Sequence, residues 1–334
     1  MDNNQAGHRS RSGSMGYQLL QVLMTAFQPG TSRQAAKARG DAALRIFSKE
    51  TMKTYTAEAF ALAAYLKEHY PDCRRPDDIA PEMCAAFMES MISRGLAGGT
   101  LGRHIAFIRK LDAVLRHLDR RAADAPPLLA TKEQGGAWSF RANTSTQAYS
   151  ALEALAILET IRAKGSAKYR DSAAQVVELM LATGLRIQEA VYLRAGGIDL
   201  GRRQIVLVKN TSRTKGGRPR VTEPFDPVFQ DFVAELKAQG ERNAADFGCL
   251  FRDRASLPGH VRAEIRRACR GLGIQSLGSH GFRKLNAQVL YAALREQGLD
   301  DGAARLQVAR HLGHNRTRVT VQSYVAAQTD RANS

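Results

Sequence analysis

Apolar residues recur at helical spacing through the first third of the chain. One series includes Tyr55, Ala59 and Leu62, and a second occupies positions 101–118. Apolar side chains three and four residues apart form one face of an amphipathic helix. Turn signals containing Pro and Gly separate the series. The pattern predicts a small domain made only of helices.

This helical pattern stops after about residue 120. The stretch that follows contains Pro126-Pro127, Gly135-Gly136 and a run rich in Thr, Ser and Asn. Such a composition is typical of a linker because Pro and Gly end regular elements. We therefore expect a disordered N-terminal tail, a helical domain, a linker and a second domain, at residues 1–15, 16–120, 121–147 and 148–334.

The second domain mixes helical and strand patterns. Helical periodicity returns at positions 149–161 and 172–182. Positions 204–209 and 220–225 favour two paired strands, because both runs are short and the first is rich in Ile and Val. From about Val228 onward the pattern is again mostly helical. The sequence thus predicts a mainly α fold with a small antiparallel β-sheet.

Charge narrows the choice of partner. The chain has 49 Lys and Arg against 32 Asp and Glu in 334 residues, a formal net charge of +17. An excess of this size favours a polyanion over a neutral small molecule, with nucleic acid ahead of a membrane surface. Many proteins are basic without binding nucleic acid, so the decision depends on motifs.

Cysteine spacing and hydropathy argue against several classes of protein. Cys73, Cys84, Cys249 and Cys269 lie far apart, so we expect reduced, mostly buried thiols rather than a zinc finger or a disulfide framework. No stretch reaches the roughly 18 continuous apolar residues of a membrane helix. Residues 1–14 contain no apolar run typical of a signal peptide. We therefore expect a cytoplasmic protein that contacts no membrane.

Candidate chemistry begins in the segment Thr183-Gly184-Leu185-Arg186. Arg186 follows a glycine break at which a new helix begins, and free backbone amides there favour an anion. A guanidinium in this position could clamp two oxygens of a phosphate. Glu189 lies one turn later, where it either orients Arg186 or forms an ordinary surface pair.

A strongly basic segment separates the two predicted strands. Its cations are Lys209, Arg213, Lys215, Arg218 and Arg220, with no acid among them. An ammonium group surrounded by cations gives up its proton more readily, so Lys215 is a candidate proton donor. The other four are candidate DNA contacts.

Two cations of the first domain are further candidates for contact with a phosphate backbone. Arg103 and Lys110 fall mainly off the apolar stripe of positions 101–118. Such residues could face DNA, although solvated surface charges fit the pattern equally well.

The last candidates lie in the C-terminal part of the chain. His280 and Arg283 are three residues apart and project to one side of a helical turn. Leu312-Gly313-His314 adds a further imidazole, and Tyr324 follows on the next periodic segment. We interpret His311 as helix surface or packing. Taken singly, a buried or surface role is commoner than catalysis for each of these residue types.

Taken in order, these motifs resemble the tyrosine recombinases, also called phage-type integrases. That family has an Arg in a T-G-L-R-x-x-E segment, a Lys on a β-hairpin, a His-x-x-Arg, an L-G-H and then a Tyr. The matching residues are Arg186, Glu189, Lys215, His280, Arg283, His314 and Tyr324. The resemblance implies a helical core-binding domain, matched in pattern only, joined to an α+β catalytic domain.

The resemblance also implies a mechanism. Tyr324 would attack the scissile phosphate, giving a 3′-phosphotyrosine and a free 5′-hydroxyl. Arg186 and Arg283 would neutralise charge on the phosphorus, with help from the histidine of the L-G-H motif. Lys215 would protonate the departing oxygen and His280 would assist proton transfer. This mechanism needs neither a metal nor another cofactor.

The partners that the resemblance implies are double-stranded DNA, bound by a homotetramer, and accessory DNA-bending or directionality factors. Two features depart from the family pattern. The interval from His314 to Tyr324 is one residue longer than expected, which leaves the register of the Tyr324 segment open. Lys284 also stands where many members carry a second histidine.

The biological role is less well defined by the residues. Integration or excision of a mobile element is the preferred role, because the motif region after Arg283 is longer than in compact chromosome-dimer resolvases. A replicon-dimer resolvase would share every residue named above, and a type IB topoisomerase would share the phosphotyrosine chemistry. A DNA-binding protein of the same fold that has lost cleavage is a third alternative, and the complete residue set argues against it.

Overall fold

The computed structural model describes residues 13–130, 147–208, 214, 219–314 and 324. The chain divides into two compact units, Met1–Asn143 and Thr144–Ser334. Among the cations singled out above, Lys209, Arg213, Lys215 and Arg218 lie outside the described residues.

The described part of the first unit is helical, as the sequence predicts. Its helices are α1 (Met15–Thr25), α2 (Arg33–Ala38), α3 (Lys49–His69), α4 (Pro81–Ser93) and α5 (Gly98–His117).

Side-chain capping and an apolar stripe explain the two longest helices of this unit. The Ser48 hydroxyl accepts a hydrogen bond from the Thr51 amide at 3.0 Å, which satisfies a free donor at the start of α3. Along α5 the predicted stripe is buried, including Leu101, Ile105 and Ile108. Helix α1 packs against both α3 and α5. The stripe prediction is confirmed.

Residues 121–130 pack on the helical unit, although the sequence favours a linker there. Leu128 and Leu129 are buried in its core. Arg109 donates to the carbonyl of Ala130 at 2.7 Å, and Arg116 donates to that of Ala122 at 2.8 Å. The apolar pair and the arginine contacts hold this segment despite its Pro126-Pro127 turn signal. The expected limits of the other segments stay predictions.

The second unit combines helices with a small sheet. Its elements are α6 (Ala151–Lys164), α7 (Arg170–Thr183), α8 (Ile187–Val191), β1 (Ile198–Asp199), β2 (Gln204–Leu207), β3 (Arg220–Val221), α9 (Gln230–Arg242), α10 (Leu257–Gly271), α11 (Gly278–Glu296) and α12 (Asp301–His311).

The three strands form an antiparallel sheet in the order β1-β2-β3. Ile198 pairs with Ile205 across β1 and β2, and Leu207 pairs with Arg220 across β2 and β3. The sequence predicts β2 and β3 but not β1, which has only two residues. β3 is shorter than predicted, and Pro224, which has no amide hydrogen, lies just beyond it.

Helix α7 is central to the second unit. It packs against α6, α8, α10 and α11, and its apolar face of Val176, Leu179 and Met180 is fully buried. This arrangement fixes the C-terminal end of α7, where the Thr183-Gly184-Leu185-Arg186 segment begins. Among the helices described in either unit, none is long and apolar enough to cross a membrane.

Candidate active site

A glycine in the left-handed conformation ends α7 and places Arg186. Gly184 has φ of +63°. A Cβ atom there would lie 2.4 Å from Asn286 Oδ1 and 2.7 Å from His311 Nε2, so a larger residue has no room. Helix α7 ends at this glycine, and α8 starts directly after Arg186. The glycine two residues before Arg186 therefore ends one helix and places the arginine at the start of the next.

Glu189 is the centre of a buried charge cluster. Its side chain is 0% exposed. One oxygen, Oε2, accepts from the Arg186 amide and from Arg220 Nη2, while Oε1 accepts from Arg186 Nη1 and Arg220 Nη1, all at 2.8 Å. Arg283 Nη1 lies 3.9 Å from Oε2. The carboxylate therefore touches or approaches three guanidiniums, and the alternative of an ordinary surface pair is wrong.

The charge state of Glu189 follows from these contacts. Burial by itself would raise its pKa, because it removes hydration from the charged form. The hydrogen bonds and charge of Arg220, followed by the charges of Arg283 and Arg186, outweigh burial and hold the pKa of Glu189 at about 2. Glu189 is therefore a carboxylate at neutral pH.

Arg283 is buried and faces backbone oxygens. Its side chain, on α11, is 0% exposed and donates to the carbonyls of Gly184 and Leu312. Burial, followed by the charge of Arg186, lowers the pKa of Arg283 to about 10, while Tyr324 and Glu189 act in the opposite direction. The guanidinium is still charged at neutral pH. It also joins the ends of α7 and α12.

A pocket of about 250 Å³ opens over this cluster. Arg186, His280 and Arg283 line it, as the sequence predicts for the two ends of the His-x-x-Arg motif. Its remaining lining residues are Met180, Ile187, Gln188, Arg262 and Ser279. Three arginines and one histidine in a pocket of this size match the chemistry of a single phosphate group.

His280 is tuned toward its neutral form. Partial loss of hydration lowers its pKa, and the charges of Arg283, Arg186, Lys284 and Arg262 lower it further. The direction means that His280 is mostly neutral at pH 7, since an unperturbed histidine has a pKa of about 6.5. A neutral imidazole is able to accept a proton.

Tyr324 and His314 lie side by side. Their ring centroids are 5.2 Å apart, and Gln288 Nε2 donates to the backbone oxygen of Tyr324 at 3.1 Å. Tyr324 is 7% exposed and packs in a small apolar cluster with residues of α11 and α12, including Tyr291.

His311 is a buried packing residue, one of the two interpretations that the sequence allows. Its Nδ1 accepts a hydrogen bond from the Glu223 amide at 2.9 Å, and its Nε2 lies 3.0 Å from Asn286 Oδ1. Burial, followed by the charges of Arg283 and Arg220, lowers the pKa of His311 to about 3. The neutral ring joins α12 to α11 and to the segment after β3.

Arg220, a candidate DNA contact in the sequence, binds a carboxylate of the protein in this structure. Its side chain is 8% exposed, and both terminal nitrogens are bound to Glu189. The sequence does not distinguish Arg220 from the other cations of the basic segment. Its contact with the buried Glu189 carboxylate does. Arg220 belongs to the charge cluster.

The candidate DNA contacts of the first unit differ from one another in exposure. The Arg103 side chain is 56% exposed and lies 3.8 Å from Glu58. Lys110 Nζ donates to the carbonyls of Ala43 and Arg45, the latter at 3.0 Å. Burial, followed by the charge of Arg33, lowers the pKa of Lys110 to about 8. Arg103 presents its charge to solvent, whereas Lys110 uses its charge internally.

Arg262 is a pocket residue that the sequence analysis missed. It lies on α10, whose other exposed arginines include Arg266 and Arg270 at intervals of four residues. That interval places them on one face of the helix. The spacing of these arginines in the sequence was enough to predict a basic helix face that includes Arg262.

The described residues contain no group of three or more His, Cys, Asp and Glu side chains placed to hold a metal ion. All four cysteines are free and buried. The polar groups at the pocket are instead guanidiniums and one imidazole, with the Glu189 carboxylate buried behind them.

A helical unit together with a mainly helical unit that carries a small antiparallel sheet is the architecture of the tyrosine recombinases. The model of the phage integrase family matches residues 149–331. The chain belongs to this family. Its members cleave and rejoin DNA, and the fold class that the sequence predicts is confirmed.

Solved structures of similar fold come from the same class of protein. XerH site-specific recombinase, bound to palindromic difH substrate in a post-cleavage complex, has a TM-score of 0.63 and 16% identity over 95% of this chain and 93% of the other. The Tn1549 transposon integrase in complex with transposon right end DNA has a TM-score of 0.54 and 15% identity, over 95% and 100%. A lambda integrase dimer bound to a COC′ core site has a TM-score of 0.58 and 14% identity, over 94% and 78%.

A comparison with curated protein sequences found no match. At identities of 14 to 16%, the structural likeness supports the fold alone.

Proposed function

We propose that the protein is a site-specific DNA recombinase that cleaves and rejoins DNA through a covalent 3′-phosphotyrosine intermediate. The observation that carries this proposal is the pocket in which Arg186, His280 and Arg283 meet above the buried Glu189. Such a pocket fits a phosphodiester better than a neutral ligand, because it concentrates positive charge in a partly dehydrated place.

The charge balance of the cluster suits the transition state. Arg186, Arg220 and Arg283 carry three positive charges and Glu189 carries one negative charge, so two positive charges remain. A phosphodiester carries a single negative charge, and a second develops as an oxygen attacks phosphorus. Fixed charges that match the developing charge lower the barrier more than they strengthen ground-state binding.

In the proposed reaction the Tyr324 oxygen forms a bond to phosphorus as the bond from phosphorus to the 5′-oxygen breaks. The neutral His280 accepts the phenolic proton, consistent with the lowered pKa of its imidazole. Lys215 donates a proton to the 5′-oxygen, and His314 hydrogen-bonds the phosphate. Attack by a 5′-hydroxyl of the partner strand reverses each step, so the bond energy is kept and no nucleotide cofactor is consumed.

Double-stranded DNA is the proposed substrate, bound in part by the exposed arginine face of α10. Arg262 lines the pocket, and Arg266 and Arg270 continue along the same helix away from it. Phosphate contacts of this kind make affinity fall steeply with salt. We further propose that four protomers act together on two duplexes in the cytoplasm, with accessory factors, to integrate or excise a mobile element.

The test is to trap the covalent intermediate. Purified protein is mixed with DNA from its source and denatured with SDS, and any DNA that stays attached is sequenced. The control is Tyr324→Phe, with Tyr291→Phe as a matched variant, because Tyr291 packs in the same cluster. We expect attachment with the wild type and Tyr291→Phe but not with Tyr324→Phe.

Attachment that persists in Tyr324→Phe would refute Tyr324 as the nucleophile. A substrate nicked next to the cleavage site prevents religation. Strong DNA binding without any adduct on such a substrate would refute the cleavage activity itself.

A further inference from the structure

Arg220 holds the Glu189 carboxylate as a two-pronged clamp. Its Nη1 and Nη2 atoms donate to Oε1 and Oε2 at 2.8 Å each, and its side chain is 8% exposed. Paired parallel hydrogen bonds between a guanidinium and a carboxylate fix both the distance and the plane of the carboxylate. A single contact would leave Glu189 free to rotate.

The fixed carboxylate in turn holds Arg186. Arg186 Nη1 donates to Oε1 and the Arg186 amide donates to Oε2, each at 2.8 Å. Each oxygen therefore receives one hydrogen bond from Arg186 and one from Arg220. Two of the four donors on the carboxylate disappear when Arg220 is removed. The orientation of the Arg186 guanidinium thus depends on a residue that does not line the pocket.

Arg220 also packs against the turn before His314. Gly313 has φ of +67°, and a Cβ atom there would lie 2.7 Å from Arg220 Nη1. The preceding residue, Leu312, accepts a hydrogen bond from Arg283. One guanidinium therefore lies between the turn that carries Arg186 and the turn that carries His314, and the glycine makes room for it.

We propose that Arg220 is a positioning residue for the phosphate site: it orients Arg186 through Glu189 and supports the Gly313 turn, without contacting DNA itself. This inference rests on the proposed recombinase function for its effect on cleavage. The orienting of Arg186 by itself does not require cleavage, and it has a separate measurement.

The variants to compare are Arg220→Met, which keeps much of the length and removes the charge, and Arg220→Lys, which keeps the charge and removes the paired donors. Arg254→Met is the matched control, since Arg254 also holds a carboxylate, that of Asp246 at 2.6 Å, outside the pocket. The cleavage rate is measured in a single turnover at saturating DNA, and DNA affinity is measured separately.

We expect Arg220→Met to slow cleavage at least about tenfold, because hydrogen bonds to a charged group are lost, with DNA affinity and the Arg254→Met rate unchanged. Arg220→Lys should be intermediate. In a Glu189→Gln background, Arg220→Met should slow cleavage by less than about twofold, because the two substitutions remove the same contact. A substrate with a 5′-sulfur leaving group, which needs no proton donor, should be slowed as much as the normal one.

Several results would overturn the proposal. Weaker DNA binding with normal saturated cleavage would make Arg220 a DNA contact. Recovery on the 5′-sulfur substrate would mean that Arg220 acts through the proton donor, and independent losses in the double variant would separate it from Glu189. If Arg220→Met fails to fold, Arg220→Lys decides the same questions.

A final measurement is independent of cleavage. The NMR signal of the Arg186 side-chain Nε–H, assigned with Arg186→Lys, should report an ordered side chain in the wild type and a disordered one in Arg220→Met. An unchanged signal would overturn the positioning role even if the enzyme cleaves. A wild type that forms no adduct while its signal behaves as expected would instead refute the recombinase function.

Discussion

Gly184→Ala should be unusually destabilising, because it combines backbone strain with a clash in the core. Gly184 has φ of +63°, and a left-handed conformation costs a residue with a side chain about 1–2 kcal/mol. The added Cβ would lie 2.4 Å from Asn286 Oδ1 and 2.7 Å from His311 Nε2, two atoms that contact each other at 3.0 Å. Displacing them weakens buried hydrogen bonds worth about 1 kcal/mol each. The expected loss is about 2–4 kcal/mol.

Gly273 offers a matched control for this prediction. It has φ of +67° and no atom within 4 Å of the position that a Cβ would occupy. Gly273→Ala therefore carries the strain without the clash, and it should cost about 1–2 kcal/mol. The difference between the two variants isolates the contact of Gly184 with Asn286 and His311.

The free energy of unfolding of both variants is measured by urea denaturation with circular dichroism on the full chain. Both glycines lie in the second unit, so any separate transition of the first unit is common to the two variants. Equal destabilisation by Gly184→Ala and Gly273→Ala would refute the claim that close packing, rather than the turn alone, requires glycine in this motif.

Three further predictions concern pH, burial and metals. In the folded protein the pKa of His311 is about 3, below the value of about 6.5 for an unfolded chain. Between these two pH values the unfolded state binds more protons than the folded state, so the free energy of unfolding falls as the pH falls below about 6.5. For His311 this change in the free energy of unfolding is at most about 1.4 kcal/mol per pH unit. His311→Gln should abolish this contribution to the pH dependence of the free energy of unfolding, measured between pH 7 and 5. Arg283→Ala should lower the free energy of unfolding by about 3–5 kcal/mol, because it removes a buried charge next to Glu189 and leaves two carbonyls without a donor. Arg186→Ala should lower the free energy of unfolding by less, yet it should slow cleavage at least about 100-fold while DNA affinity is unchanged. Equal losses of stability in the two variants would contradict this ordering. Added EDTA should leave cleavage unchanged, since guanidiniums supply the positive charge at phosphorus, and inhibition that added magnesium reverses would contradict this expectation.

The parts of the fold that were predictable from sequence are those set by local spacing. The stripe that begins at Leu101 and the apolar face of α7 follow from helical periodicity, because burial of one face selects every third or fourth position. His280 and Arg283 line the same pocket because residues three apart on a helix project to the same side. In each case a single helix decides the outcome.

The missed features depend on contacts between distant segments. β1 has two residues, too few to give a pattern, and it exists because Ile198 pairs with Ile205. Residues 121–130 carry linker composition, yet arginine side chains of α5 hold their carbonyls. Arg220 looks like its basic neighbours until the fold brings Glu189 to it, 31 residues earlier in the chain. No local pattern could supply these contacts.

The single buried carboxylate explains how several arginines gather without DNA. Three guanidiniums within reach of one another repel, and the cost rises where the dielectric constant is low. Glu189 offsets this repulsion, and Arg220 donates to it together with Arg186, which leaves Arg186 and Arg283 as lining residues of the pocket. A second carboxylate would cancel more of the positive charge available to a phosphate, and loss of the only one would leave the mutual repulsion of the three guanidiniums without an offset. The balance of one acid and three arginines therefore suits both the stability of the fold and the proposed phosphate chemistry. For this reason Glu189→Gln should slow cleavage even though it raises the net positive charge of the pocket.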